Sequence, residues 1–327
     1  MLYLGGWGSG LRQYEHRPKL LLAPDIHLVA VMRADQKNVA LQALHQAELE
    51  VVDVATRMTE GSDSSEVRRF NAAPPGQKAP LSPPTIELLR RCRELNAATQ
   101  GAFDVAELPL RRLWDQAARD GRLPSRDEVA AARKTSTWAQ IDLLEDGAVR
   151  RSDTAGVDLE EAARSYAADR AADTLLAMGA KGGAVSVSGN MRCFGRREKG
   201  QLWDVDVLDP YDSKGVKVMM RLAVGDGAVC TSSHYARWLE IGGRSYSRVL
   251  NPSTGWPTTG VVSATVVAPS CVQARAWAEA LRSLGDAGLK LLPPGVEAMV
   301  VVGTAQSHKV HVSDGFQKYR AAPAKGK

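Results

Sequence analysis

Apolar positions recur along this chain in two rhythms, and the change from one to the other divides it. Over Val39–Met58 the apolar residues Leu41, Leu44, Leu49, Val52 and Ala55 return at helical spacing between acids and amides, which predicts an amphipathic helix. The run before it, Ile26–Met32 (IHLVAVM), reads as a short strand. Ser64 or Ser65 is placed to cap a short helix starting at Glu66, and Ala72–Pro84 is a Pro- and Gly-rich loop. Thr85 is placed to cap a helix over Ile86–Thr99 that Gly101 stops. Ser125 with Glu128 has the capping-box pattern for a helix to about Lys134, and Gln140–Leu144 with Ala148–Arg151 reads as a hairpin. Val157–Met178 is a long Ala-rich helix, with Asp158 as its cap and Glu160 and Glu161 in its first turn, where the helix dipole favours acids.

From Gly179 onward strands dominate. Gly179–Val187, Leu202–Leu208, Lys217–Val224, Ala228–Ser232, Val261–Val267 and Glu297–Val302 read as strands, with one further helix over Ala274–Leu284. This order predicts an α+β fold, a mixed or antiparallel sheet packed with helices. A single domain is expected over residues 25–315. An irregular Gly-rich arm at 1–24 and a disordered basic tail at 316–327 are expected to flank it.

Composition narrows the class. The 327 residues suffice for a substantial core, and 24% charged with 44% hydrophobic residues is ordinary for a globular protein. The net charge of +5 is mild and mostly scattered, apart from Arg192–Lys199 and the tail, so no nucleic-acid partner is expected. No apolar run reaches the roughly 20 residues of a membrane span. Cys92, Cys193, Cys230 and Cys271 form neither a CxxC pair nor zinc-ligand spacing, which fits buried thiols in a reducing compartment. As the chain stands it is expected in the cytoplasm, and an export signal requires a mis-assigned start.

There is no P-loop, no GxGxxG after a strand and no GxSxG elbow. The candidate chemistry gathers instead around Ser247–Gly260 (SRVLNPSTGWPTTG), where a short strand over Tyr246–Leu250 runs into a stiff turn bearing hydroxyls. Such a loop can be a phosphate-handling site, but spacing alone favours a plain surface hairpin. His234 is the one histidine in a candidate site loop.

Seven segments in order, SSEVRRFN, GAFDVAELPLRRLW, VDLEEAARSYAADRAADTLL, VSGNMRCFG, CTSSHYARW, RVLNPSTGWP and ARAWAEALRSLG, resemble the FAD:protein FMN transferases, the ApbE family. The resemblance implies an ApbE-like, T-fold related architecture. It also implies a reaction in which FAD, bound with a divalent cation (usually magnesium), gives FMN through its phosphate to a threonine or serine of a target protein, and AMP leaves. Carried over residue by residue, it assigns Gly101, Ala102, Phe103 and Asp104 to the flavin nucleotide. Asp158, Thr231, Ser232 and Thr254 match family site positions, as do Ser65, Glu66, Asn71, Tyr166, Ala167 and Asp169.

The departures fall on the chemistry. Glu160, Glu161, Arg164 and Ser165 stand where the family has two glycines and Lys-Gly, and Ser188-Gly189-Asn190 replaces Gly-Gly-Asp. Ser233 replaces a glycine, Arg248 a histidine and Asn251 an aspartate, while the family's metal-binding Asp and Thr fall on Arg275 and Glu279. Arginine has no acceptor and repels a cation, by about 4 kcal/mol per unit charge at 4 Å and an effective dielectric constant of ~20. No metal is therefore expected, and the Arg275 guanidinium is expected in the cation's place, paired with Glu161 or Glu279. Two other readings stand beside this one: Glu161 and Glu279 hold the metal themselves, or Arg275 and Glu279 are an i,i+4 pair on a solvated helix face. Arg248 cannot take a proton at neutral pH but can clamp a phosphate, as can Arg164, and His234 is the substitute base. The candidate catalytic residues are thus His234, Arg248 and Asn251. The chain is expected to be a transferase of this family acting on FAD and a target protein, or a metal-independent homologue that binds flavin or adenine nucleotides without catalysis. A third possibility is an interaction protein whose cleft is closed by Arg–Glu pairs.

Overall fold

The computed structural model describes residues 10–19, 25–212, 214–233 and 238–321. Its first two strands, β1 (Leu11–His16) and β2 (Ile26–Arg33), pair antiparallel from Leu11 opposite Arg33 to His16 opposite Leu28. Part of the expected irregular arm is therefore an edge strand. Its sequence, LRQYEH, is mostly polar and exposed, which hides a strand whose pairing comes from β2 and whose anchor is the buried Tyr14.

Helix α1 (Lys37–Met58) buries Ala40, Ala43, Leu44, Ala47, Val51 and Val54 but leaves Leu41 and Leu49 exposed. The buried face is lined largely by alanines, which let α1 lie close against another Ala-rich helix, and that packing outweighs leucine count. Next come α2 (Glu66–Ala72), β3 (Lys78–Pro80), α3 (Pro83–Ala98), α4 (Leu108–Asp120) and α5 (Arg126–Thr135). Helix α3 begins earlier than expected because Pro83 and Pro84 suit the first helical turn; Thr85 is buried and donates to Glu66 instead of capping. Pro109 likewise sits in the first turn of α4, a helix the sequence reading left out, which ends at Gly121 with φ +64°. Strands β4 (Ile141–Leu143) and β5 (Gly147–Arg150) form the expected hairpin.

The second half supplies α6 (Glu160–Ala177), β6 (Gly182–Val187), β7 (Asn190–Gly195), β8 (Trp203–Leu208), β9 (Val218–Val224) and β10 (Gly227–Ser233). It continues with β11 (Trp238–Ile241), β12 (Arg244–Ser247), β13 (Val261–Ala268), α7 (Cys271–Leu284), β14 (Glu297–Gly303) and β15 (His308–Val312). Eight strands make one sheet in the order β1-β2-β6-β7-β10-β13-β14-β15, antiparallel at each pairing. Helices α1, α6 and α7 cover one face and the β8–β9 hairpin covers the other. Strand β2 shows why: Leu28, Ala30 and Met32 join the helix-side core, while Val29 and Val31 pack with Trp203, Val205 and Val207. The expected tail starts inside this second core, because Phe316 is fully buried there in a short turn over Phe316–Tyr319. A third cluster joins α4 and α5 to the β11–β12 hairpin through Leu110, Trp114, Val129, Leu239, Ile241 and Leu250. No helix among the described residues is long and apolar enough to cross a membrane.

Candidate functional site

The start of α6, the middle of α7, the end of β10 and the segment from Ala102 to Arg111 converge on one cleft. Buried hydrogen bonds hold each wall. Asn71 clasps the backbone before α6, accepting from Val157 N at 2.9 Å and donating to Val157 O at 2.8 Å. Its neighbour Asp158 turns Oδ1 to Glu160 N at 3.1 Å, so it bonds the first amide of α6 from one residue before the cap position. On α2, Glu66 accepts from Ser82 N, Ser82 Oγ and Thr85 Oγ1 at 2.8, 2.9 and 2.7 Å, tying α2 to α3. Asp169 of α6 accepts from Cys271 N at 2.8 Å and Val272 N at 3.1 Å, which pins the first turn of α7. Burial nevertheless pushes the Asp169 carboxyl up to about 6, with the two amides and Arg192 opposing the shift.

Inside the cleft, charges dominate. Arg275 is 6% exposed and donates Nε and Nη2 to Asn190 Oδ1 at 3.0 and 2.6 Å and Nη1 to Thr231 O at 3.1 Å. Glu161 Oε2 lies 4.0 Å from it. Arg164 bonds Glu160 and also Glu161, the latter at 2.5 Å. Arg111 bonds Glu107 at 2.7 Å, lies 3.3 Å from Asp158, and donates to Arg248 O. Arg248 itself reaches Asp115 at 3.3 Å. Burial pushes Asp104 up to about 7, against hydrogen bonds from Ala106 N and Asn96. Burial likewise raises Glu279 to about 7 and Glu107 to about 8, with Arg275 and Arg111 respectively pulling the other way. Burial thus favours the protonated form at three carboxyls of one cleft. The cleft encloses about 170 Å³, and a second lobe of about 110 Å³ adjoins it across Arg111, Asp158, Glu160 and Arg248.

Ala102, Phe103, Asp104, Asp158, Glu161, Arg164, Thr231, Ser232, Arg248, Arg275 and Glu279, all singled out in the sequence, line this one cleft. Gly101 stands just behind it with φ +81°, a left-handed turn that follows α3. Asn251 and Thr254 lie elsewhere, on a broader depression beside β12 and β13. Asn251 Oδ1 accepts from Ser253 N at 3.0 Å and Ser253 Oγ at 2.6 Å, and Thr254 Oγ1 accepts from Trp256 N at 3.2 Å. Both side chains therefore build the turn. Trp114 Nε1 donates to Gly255 O at 2.9 Å and fastens that turn to α4. His234 lies outside the described residues. The solvated Arg275–Glu279 pair is overturned, since Arg275 is buried and Glu279 faces the cleft. Glu107 and Arg111 are charged lining residues that the sequence reading missed. Their i,i+4 spacing was visible, but only as part of a helix that Pro109 concealed.

A family model described as the ApbE family matches residues 25–300. The chain belongs to the ApbE family. An FAD:protein FMN transferase of Vibrio cholerae is 28% identical over 273 residues, covering 82% of this chain and 81% of the relative. One from Klebsiella pneumoniae is 27% identical over 301 residues, covering 89% and 85%. The ApbE protein of Thermotoga maritima shares the fold with a TM-score of 0.81 at 24% identity, over 95% of this chain and 100% of that one. The flavinyl transferase ApbE of Pseudomonas stutzeri has a TM-score of 0.79 at 25% identity, over 96% and 98%. The α+β expectation is met in this shared fold.

A divalent cation, which the ApbE resemblance implies, does not fit at Arg275, the position that the resemblance gives to the metal-binding aspartate. Arg275 offers no lone pair, and the oxygens nearest it, Asn190 Oδ1 and Thr231 O, already accept from it.

Proposed function

We propose that the cleft binds FAD or an adenine nucleotide, and that this ApbE-family chain does so without transferring FMN. One observation carries the reading: Ala102–Asp104 and Thr231–Ser232 meet Arg111, Arg164, Arg248 and Arg275 in a single cleft. Apolar and small residues beside several fixed guanidiniums suit a ring system joined to phosphates. Transfer to a hydroxyl needs a base and a means of neutralising the pyrophosphate as it breaks. Arg248, which stands for the family's histidine, accepts no proton.

A second reading, FMN transfer from FAD to a threonine or serine of a target protein, has support of its own. Burial pushes the Asp104 and Glu279 carboxyls up to about 7, which suits a general base at neutral pH. Incubating the full chain with FAD, magnesium and a domain carrying an acceptor threonine separates the two readings. Saturable quenching of flavin fluorescence, with no fluorescent band on the target in a denaturing gel, is the expected result. A covalent fluorescent band establishes transfer instead, and absence of quenching removes both readings of the cleft.

A further inference from the structure

We propose that Arg275 is a resident counter-cation for a ligand's phosphates, so that the cleft takes its nucleotide with no divalent metal ion; this rests on the nucleotide-binding reading above. The guanidinium is buried yet lines the cleft. Its three hydrogen bonds go to neutral oxygens, the Asn190 amide and the Thr231 carbonyl, so its position is set without consuming its charge. An arginine has five N–H donors, which leaves two beyond these bonds. Asn190 is itself immobilised, fully buried, accepting from Ser165 Oγ at 3.0 Å and donating to Val187 O at 3.0 Å. The nearest carboxylate, Glu161, stands 4.0 Å away, beyond hydrogen-bond reach, and bonds Arg164 at 2.5 Å.

The carboxylates of Glu161 and Glu279 keep the guanidinium charged, and its two remaining N–H groups are left to a ligand. Guanidinium binds phosphate oxygens through paired N–H groups, and a diphosphate presents such oxygens. Arg164, Arg248 and Arg111 border the same cleft, each beside acids of its own: Glu160 and Glu161, Asp115, and Glu107 with Asp158. A divalent ion entering the site meets the fixed charge of Arg275 and finds its neighbouring oxygens already engaged. The chemical class of ligand that follows is a nucleotide diphosphate, FAD or ADP, bound as the free anion and not as its magnesium complex.

Quenching titrations of the full chain with FAD, in EDTA and in excess magnesium, test this directly. The two affinities are expected to agree within about threefold, and Mn²⁺ added alone is expected to show no bound-ion signal in electron paramagnetic resonance. Arg275→Met is expected to weaken FAD roughly tenfold or more in both buffers, with Arg275→Lys recovering part of the loss. The double variant Arg275→Asp with Glu279→Thr is expected to convert binding to magnesium dependence. FAD binding by the unaltered chain that requires magnesium, or Mn²⁺ bound by it, overturns the assignment of Arg275 and leaves the nucleotide reading intact. No FAD binding in either buffer overturns the nucleotide reading and this inference with it. The comparison on the unaltered chain decides the matter even where a variant fails to fold.

Discussion

The candidate site residues separate by what their polar atoms already touch. Asn251 and Thr254 look like site groups in the sequence, yet their oxygens are turned into the loop they belong to. Asp104 is the opposite case: one oxygen accepts from Ala106 N at 2.8 Å, and burial raises the carboxyl to about 7. The folded chain therefore holds this proton at pH values where the unfolded chain, with an ordinary carboxyl near 4, has released it. The folded state binds more protons over that interval, so stability falls as pH rises from about 4 to about 7 and stays lowered above. Asp104→Asn keeps the acceptor and removes the titration. Urea unfolding should show the variant gaining about 3 kcal/mol relative to the parent between about pH 5 and about pH 8. A parallel pH dependence in both proteins would show that Asp104 ionises freely.

At the level of elements, α7 carries Arg275 and Glu279, and its position depends on a carboxylate from another helix. Asp169 of α6 receives two backbone amides of the first α7 turn, alongside the Ser270 cap that accepts from Gln273 N at 3.3 Å. Asp169→Ala leaves those amides unpaired in the core and should cost roughly 2–3 kcal/mol, with Asp169→Asn costing less because one acceptor survives. Arg275 rides on the same helix, so FAD affinity should fall with Asp169→Ala even where thermal unfolding shows the chain still folded. Unchanged affinity in a folded Asp169→Ala protein would mean that α7 is positioned by its apolar face alone. The loop at Gly255 follows the same logic. It is fixed by Trp114, and its φ of +76° with Val129 Cγ1 only 2.7 Å from a would-be Cβ leaves glycine as the residue that fits.

For the whole molecule, both faces of the sheet are covered and its edges are polar strands. Strand β1 shields the inner row and contributes Tyr14 to the helix-side core. Removing residues 1–16 should lower the melting temperature by roughly 5 °C or more and promote association through the uncovered edge of β2. An unchanged melting temperature would return that segment to the status of a dispensable arm. How much of this was legible in advance follows from where the information sits. The α+β class, most helices and strands, and the family were readable because periodicity, caps and turn residues are local, and because seven short segments keep their order. Sequence alone also raised the expectation that Arg275 and Glu279 stand where the family's metal-binding pair falls, since that depends only on which residues occupy those positions. The edge strand β1, helix α4 and the buried Phe316 were not readable, because polar alternation, Pro109 and a basic tail each conceal a partner far away in the chain. Tertiary structure alone decided that Arg275 lies buried against Asn190 and Thr231 while Asn251 faces away. A side chain's charge is written in the sequence, but what neutralises it is set by elements that meet only when the chain has folded.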